Sequence, residues 1–470
     1  MTGTPIDIGS RLELFVDDYL IDSMDGVDLK LHKPVAREIA LQHDRPWEGD
    51  ATWCPVIIKE GDRYRMWYRA GTDTRSSAIG RKSLGSKPSY TVAYAESTDG
   101  INWERPSLGL YEFAGSTDNN ILMDSTVCHN LSVFIDGRPG TPDSERYKAI
   151  AKGPEKVGDR STLRGLVSAD GIHWNIVESD PLIVAPDDNW PMFDSPNICF
   201  WDDLQQQYQL FARGWLPTPP DLHTDHTRLG NGYRTIRRSV SKDFVNWSDF
   251  EMIDMGDSDP EHLYTNAATP YFRAPHIYLM FPKRFVTNRT FFEDADAHGL
   301  SEATFMTSRD TLNWDRRFME GFIRPGLDPD NWNERNMAIG TGVVPTGPGE
   351  ISLYYVENWR HASARTRRGV LRTDGFVSVN AGWGGGDFVT RPFTFAGSSL
   401  VMNYSASVAG HVRFEIDDGQ TTLATGEIFG DEIERTVEWN GGADLKAMAG
   451  KTVRLRVNMK EADLYSIRFV

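Results

Sequence analysis

Ser97-Thr-Asp99-Gly-Ile-Asn-Trp103 recurs as Ser168-Ala-Asp170-Gly-Ile-His-Trp174, Ser241-Lys-Asp243-Phe-Val-Asn-Trp247 and Ser308-Arg-Asp310-Thr-Leu-Asn-Trp314. A degenerate fifth copy reads Arg372-Thr-Asp374-Gly-Phe-Val-Ser378. The first residues of successive copies lie 71, 73, 67 and 64 positions apart. The motif has a local physical meaning. Ser and Asp side chains accept from backbone N–H groups a residue or two on and close a turn. Gly after the Asp permits a positive φ, and the Trp packs back over the turn.

Two further elements precede each copy. One is an aromatic and β-branched run that reads as a strand: Arg63-Tyr-Arg-Met-Trp-Tyr-Arg69, Arg146-Tyr-Lys-Ala-Ile-Ala-Lys152, Gln207-Tyr-Gln-Leu-Phe-Ala-Arg213, Ile277-Tyr-Leu-Met-Phe-Pro-Lys283 and Ile351-Ser-Leu-Tyr-Tyr-Val-Glu357. The other is a flatter run, beginning at Trp53, Asn130, Pro196, Asn266 and Met337. The repeating unit is therefore three or four antiparallel strands with almost no helical periodicity. Five such units predict an all-β chain built as a five-bladed β-propeller. A long sandwich would not impose a near-constant step.

After Asn380 the character changes. A Gly-rich stretch, Ala381-Gly-Trp-Gly-Gly-Gly386, leads into alternating runs such as Leu400-Val-Met-Asn-Tyr-Ser405 and Leu464-Tyr-Ser-Ile-Arg-Phe-Val470. The expected division is a propeller over 1–380 and a β-sandwich over 381–470. The first 35 residues are expected to supply the closing outer strand of the last blade or a lead-in to the first.

Composition narrows the function. Across 470 residues, 67 Asp+Glu against 50 Lys+Arg give a formal charge of −17, with no basic run, which argues against a nucleic-acid partner. No apolar stretch is long enough for a membrane span, and the N-terminus lacks a signal-peptide pattern. A cytoplasmic location is expected. The three cysteines are too few and too scattered for a disulfide framework or a zinc site and read as buried apolar side chains. His223 and His226, in a Pro-rich loop, read as surface rather than as a metal pair. Neither a Ser triad nor a phosphate loop has the required partners.

In a propeller the inner strands line a central channel, and side chains from several blades converge at its mouth. The residues at or just before each inner strand are Trp47, Glu48 and Asp50; His129 and Asn130; Asp194 and Asn197; Glu261, His262, Tyr264 and Asn266; and Glu334, Arg335 and Asn336. Four of the five blades place a carboxylate there. Carboxylates, His, Asn and Arg around aromatic rings suit a sugar with many hydroxyls. Paired carboxylates also suit glycoside hydrolysis, one as acid and one as base or nucleophile.

The chain resembles the five-bladed propeller glycosidases of the invertase/fructofuranosidase and arabinanase/xylosidase type, as an outlying invertase-like member. The resemblance rests on the propeller, the S-x-D-x-x-x-W hairpins and the appended sandwich. It implies three acids in the order Asp50, Asp194 and Glu261. Asp50 would be nucleophile or general base, Asp194 a transition-state stabiliser, and Glu261 the general acid. The invertase W-M-N-D-P-N-G, R-D-P and E-C motifs are absent or loose here: Asp50 sits in Pro46-Trp-Glu-Gly-Asp-Ala-Thr-Trp53 and Glu261 in Asp259-Pro-Glu-His-Leu-Tyr264. Glu48 could replace Asp50, and Glu334 could replace Glu261. The remaining candidates, Trp47, His129, Asn130, Asn197, His262, Tyr264, Asn266, Arg335 and Asn336, would bind substrate. The expected partner is an oligo- or polysaccharide attacked at a non-reducing end. No cofactor is required, although a structural Ca²⁺ in the channel is compatible with the resemblance. Two alternatives stay open. One is a lyase or transglycosidase using His129, His262 or Tyr264 as base and Arg335 to hold a uronate. The other is a non-catalytic sugar-binding propeller.

Overall fold

A computed structural model describes residues 4–72, 90–186, 192–217, 232–292 and 299–470. Each repeat builds one antiparallel blade, four-stranded except in blade two, where Ile183–Val184 adds a fifth strand. Blade one is Trp53–Glu60, Arg63–Ala70, Thr91–Ser97 and Ile121–Asp124; blade two begins at His129–Ile135 and blade three at Ile198–Asp202. Blade four is Thr269–Tyr271, Ala274–Met280, Met306–Ser308 and Trp314–Asp315. It continues toward the mouth as a second small sheet of His262–Leu263, Lys283–Val286 and Leu300–Ala303. Blade five takes Val344–Gly347, Glu350–Glu357 and Arg365–Arg372 from its own repeat. Its fourth strand, Val35–Gln42, comes from the start of the chain. The fold is thus the five-bladed propeller expected, followed by a β-sandwich.

The four intact hairpin motifs share one hydrogen-bond pattern. In the first, Ser97 Oγ accepts from the amides of Asp99 (3.2 Å) and Gly100 (2.9 Å). Asp99 Oδ1 accepts from the amides of Ile101 and Asn102, and Trp103 Nε1 donates to the Gly100 carbonyl. The residue after the Asp has positive φ in all four: Gly100 72°, Gly171 74°, Phe244 71° and Thr311 71°. Phe244 and Thr311 hold this left-handed conformation at a cost that the satisfied turn offsets.

The degenerate fifth copy does something different. Asp374 itself takes the positive φ, 61°, and its carboxylate is fully buried. It accepts from Tyr271 Oη (2.7 Å), Arg273 Nε (3.0 Å) and Ser466 Oγ (3.0 Å). Arg372 donates to Asn403 Oδ1 and to the Tyr404 carbonyl. The fifth hairpin has become the joint between propeller and sandwich.

The ring closes at the hub as well as at the rim. The Ile57 amide donates to the Thr341 carbonyl (2.8 Å), and the Thr341 amide donates to the Pro55 carbonyl (2.9 Å). Gly342, at φ 111°, makes this approach possible, because a Cβ there would lie 2.1 Å from the Ile57 carbonyl oxygen. At this level the channel is narrow and apolar, with Val56, Leu131, Ile198, Ala267 and Ile339 contributed by the five blades in turn.

The sandwich draws on both chain ends. Two long strands, Leu400–Asp417 and Arg454–Phe469, carry bulges and serve both layers around one core of Phe388, Met402, Phe414, Val457, Leu464 and Phe469. Ile21–Asp25 and Val27–Leu31 pair with Gly386–Thr390 and Val377–Ala381 in this same sheet. The first 35 residues therefore differ from expectation. Val35–Gln42 closes the last blade, whereas the strands before it belong to the sandwich. The physical reason is that they offer apolar faces to it: Ile8, Phe15, Leu20, Ile21 and Val27 are all buried in the sandwich core. All three cysteines are free thiols, with Cys128 and Cys199 buried and Cys54 half-buried. No helix of the described residues is long and apolar enough to cross a membrane.

Candidate active site

The inner strands do not begin as regular strands. Cys54 (φ 55°), Asn130 (57°), Ala267 (47°) and Met337 (58°) are left-handed non-glycine residues at the heads of blades one, two, four and five. In blades one and two the pairing slips at this point, between Trp53 and Val56 and between His129 and Ser132. Such a bulge re-aims the adjacent side chains, here toward the mouth of the channel.

The floor of the mouth is aromatic. The Trp53 and Tyr264 rings lie 6.0 Å apart, with Trp359 in the same apolar cluster. Basic side chains crowd around them, and burial first and then Arg335 hold the Lys283 amine well below the usual lysine range. Lys283 Nζ lies 4.4 Å from the Tyr264 centroid, the Arg213 guanidinium 4.7 Å, Arg335 5.1 Å and Arg234 5.3 Å. Arg69 lies 5.3 Å from Trp53 and 4.5 Å from Tyr90, and Arg360 4.2 Å from Trp359.

Asp194 is the carboxylate that opens to this space, its side chain 37% exposed. Arg213 Nη1 donates to its Oδ2 at 3.0 Å. Burial alone would raise its pKa, but Arg213, Lys152 and Arg335 outweigh that and hold it down at about 2. Asp194 is therefore ionised at any working pH. Glu334 is buried and takes a charged hydrogen bond from Arg360 Nη1. Its carbonyl accepts from Lys283 Nζ at 2.9 Å. Asp50 is buried at the head of blade one, and its carbonyl accepts from the Arg360 amide at 2.8 Å. His129 sits against Arg69 and Tyr90, and burial together with Arg69 pulls its pKa down to about 3. It is a neutral imidazole here. Tyr264 and Arg335 complete the set that the structure brings together.

Glu261 lies elsewhere. Lys283 and Arg284 are successive strand residues, so their side chains take opposite faces. Lys283 points to the mouth, whereas Arg284 points away and binds Glu261 at 2.5 and 3.1 Å. Arg316 adds a third bond at 3.1 Å. Glu261 is thus held by two guanidinium groups on the far side of the strand from Tyr264.

Most of the other sequence candidates are spent on structure. Glu48 is fully buried and accepts from Tyr68 Oη (2.7 Å), Arg105 Nε (2.7 Å) and the Arg45 amide (3.1 Å). Trp47 donates to Asn120 Oδ1. Asn130 bridges Arg69 and the Asp194 carbonyl, so it positions both. Asn197 donates to the carbonyls of Phe193 and Ser195, Asn266 to that of Phe211 and Asn336 to that of Asp330. His262 Nδ1 accepts from the Arg234 amide, and burial with Arg234 pulls its pKa down to about 4.

The residues that sequence reading missed are the cations. Arg69, Lys152, Arg213 and Lys283 occupy the same position, the seventh residue of the aromatic run, in four successive repeats. That recurrence was a visible signal. Calcium does not fit this mouth. Its walls carry guanidinium and ammonium groups, the channel below is apolar, and among the described residues no group of three His, Cys, Asp or Glu could hold a metal. His223 and His226 lie outside the described residues.

No protein-family profile matches the chain. Two uncharacterized proteins of Mycobacterium tuberculosis are each 24% identical to it over 176 residues, 37% of this chain. The match spans 49%, about half, of the length of these curated relatives. Among solved structures, the chain is similar to a BT0996–RGII complex, with a TM-score of 0.50, 13% identity, and coverage of 73% of this chain and 92% of that protein. It is also similar to a GH32 beta-fructofuranosidase of Bombyx mori, with a TM-score of 0.44, 10% identity, and coverage of 92% and 94%. At such identities the likeness speaks to the fold alone.

Proposed function

We propose that the chain is a glycoside hydrolase acting at a non-reducing end, with its reaction at the propeller mouth. One observation carries the reading. Asp194 is ionised, partly open to the mouth, and held there by Arg213, whose guanidinium lies 4.7 Å from the Tyr264 ring. The narrow apolar hub below supports exo action, since a chain end entering the mouth meets a closed floor.

The chemistry follows from the charges. A glycosidic bond breaks through a cationic, oxocarbenium-like state. An anion fixed by Arg213 stabilises that state and serves as the base or nucleophile. The proton for the leaving oxygen comes from the buried carboxyl of Asp50, whereas Glu334 is kept as the anion by Arg360 and steadies positive charge. Glu261 stands outside this set and has a structural role. His129 and His262, both neutral, position groups rather than exchange protons.

The test is a panel of 4-nitrophenyl glycosides. Asp194→Asn is expected to lower kcat by about 100-fold or more, and Asp50→Asn or Glu334→Gln to do the same. Glu261→Gln is expected to lower the melting temperature while turnover per folded molecule stays near wild type. Full activity in Asp194→Asn would end this reading.

A further inference from the structure

Among the described residues, the mouth carries more positive charge than its own acids balance. Arg213 is paired with Asp194, and Arg360 with Glu334. Arg234 has no such partner among the described residues. It is only 5% exposed, and its Nε and Nη1 make no hydrogen bond there. Aromatic rings surround it instead: Trp215 at 5.2 Å, Tyr264 at 5.3 Å and Phe285 at 5.5 Å. The side chain is aimed at the same Tyr264 ring that Arg213, Lys283 and Arg335 approach. Buried donors with no acceptor among the described residues also include Nε of Arg69 and of Arg213 and Nε1 of Trp53. The unsatisfied groups of the mouth are thus mostly donors.

A buried cation without a counter-charge works against folding. Removing a guanidinium from water costs more than the faces of aromatic rings return. Burial, and next the repulsion of Arg213, lowers the Arg234 pKa to about 10, so it still carries its charge at neutral pH. Asp194, already bonded to Arg213, and Tyr264 oppose this shift without cancelling it. An incoming anion would add the missing counter-charge.

We infer that the mouth contains a carboxylate-binding subsite centred on Arg234, with Arg335 at its open side, and that the sugar taken is a uronic acid residue. The inference rests on the glycosidase reading for where the sugar sits, and adds which sugar class it is. A neutral sugar offers hydroxyl acceptors but no charge, and would leave Arg234 uncompensated. A carboxylate offers charge and a planar pair of oxygens that match guanidinium donors. The site is local: a protein of charge −17 repels polyanions at long range, so recognition comes from this pocket and not from the surface field.

The experiment is calorimetric titration of the full chain with D-glucuronate and D-galacturonate, against D-glucose, D-galactose and galactose 6-sulfate. The better uronate is expected to bind at least about tenfold more tightly than its neutral counterpart, and to lose this margin in high salt. Arg234→Gln is expected to weaken uronate binding by about tenfold or more and neutral-sugar binding by less than twofold. Arg335→Gln provides a second variant if Arg234→Gln does not fold. Equal binding of uronate and neutral sugar overturns the inference. So does tighter binding of the sulfate ester than of either uronate, or uronate binding that neither variant weakens. Uronate binding without hydrolysis of any glycoside would sink the enzyme reading and leave the subsite standing. Hydrolysis confined to neutral glycosides, with no uronate binding, would do the reverse.

Discussion

At the scale of single residues, two kinds of titratable group, buried histidines and turn aspartates, set the response to acid. His43 and His129 are held at about 3 and His262 at about 4, by burial first and then by the nearby arginines Arg105, Arg69 and Arg234. Their unfolded value is about 6.5. The unfolded chain therefore binds these protons first, and stability begins to fall as pH drops below about 6.5. Asp99 and Asp243 are the opposite case. Burial alone would raise them, but amides and side chains of their own turns hold both at about 2. Their contribution is complete above about pH 4 and is lost as pH falls toward 2. We expect the urea midpoint to decline in two stages, one starting near pH 6.5 and one near pH 4. The imidazole of His129, followed by NMR, should show no titration between pH 5 and 8. Which polar side chains reach the mouth was only partly legible in the sequence. Asp194, Glu334, Tyr264 and Arg335 were visible as polar or aromatic groups near strand starts. Asn197, Asn266 and Asn336 looked the same, yet they turn back to carbonyls. A sequence does not show whether an amide faces a carbonyl or a cavity, because the local backbone decides that, with a left-handed residue beside Asn266 and Asn336.

At the scale of elements, the S-x-D-x-x-x-W hairpin was the most legible feature, because all its bonds are local. Asp99→Ala should cost about 1–2 kcal/mol, since it strips acceptors from two amides; urea unfolding measures this. The hub seam was not legible. Gly342 looks like any turn glycine in the sequence, and only the ring places its α-carbon against the Ile57 carbonyl. Gly342→Ala should cost about 3 kcal/mol or more. Gly384, with nothing near its Cβ position, should accept Ala within about 0.5 kcal/mol. The missed basic residues that close the aromatic runs belong to this scale as well. Each one alone reads as a solvated side chain. Only alignment of the repeats shows that Arg69, Lys152, Arg213 and Lys283 share a register.

At the scale of the whole molecule, the boundary that composition suggests near residue 380 is real as a change in texture but not as a cut in the structure. Asp374 ties blade four, through Tyr271 and Arg273, to the sandwich strand that carries Ser466. Asp374→Ala should cost about 3 kcal/mol. Calorimetry of the intact chain should show propeller and sandwich melting in one transition, and two separated peaks would show that this joint transmits little. The N-terminal strands are hard to assign from sequence for a global reason too. They are short, and their partners lie at the opposite end of the chain.

That arrangement has a cost during synthesis. The Gln42 side chain meets the Ala364 carbonyl across 322 residues, so the strand that seals the last blade leaves the ribosome long before anything exists for it to seal. Until then its unpaired edge, and the sandwich strands ahead of it, are open to wrong partners, and the nascent chain depends on being shielded until its tail arrives.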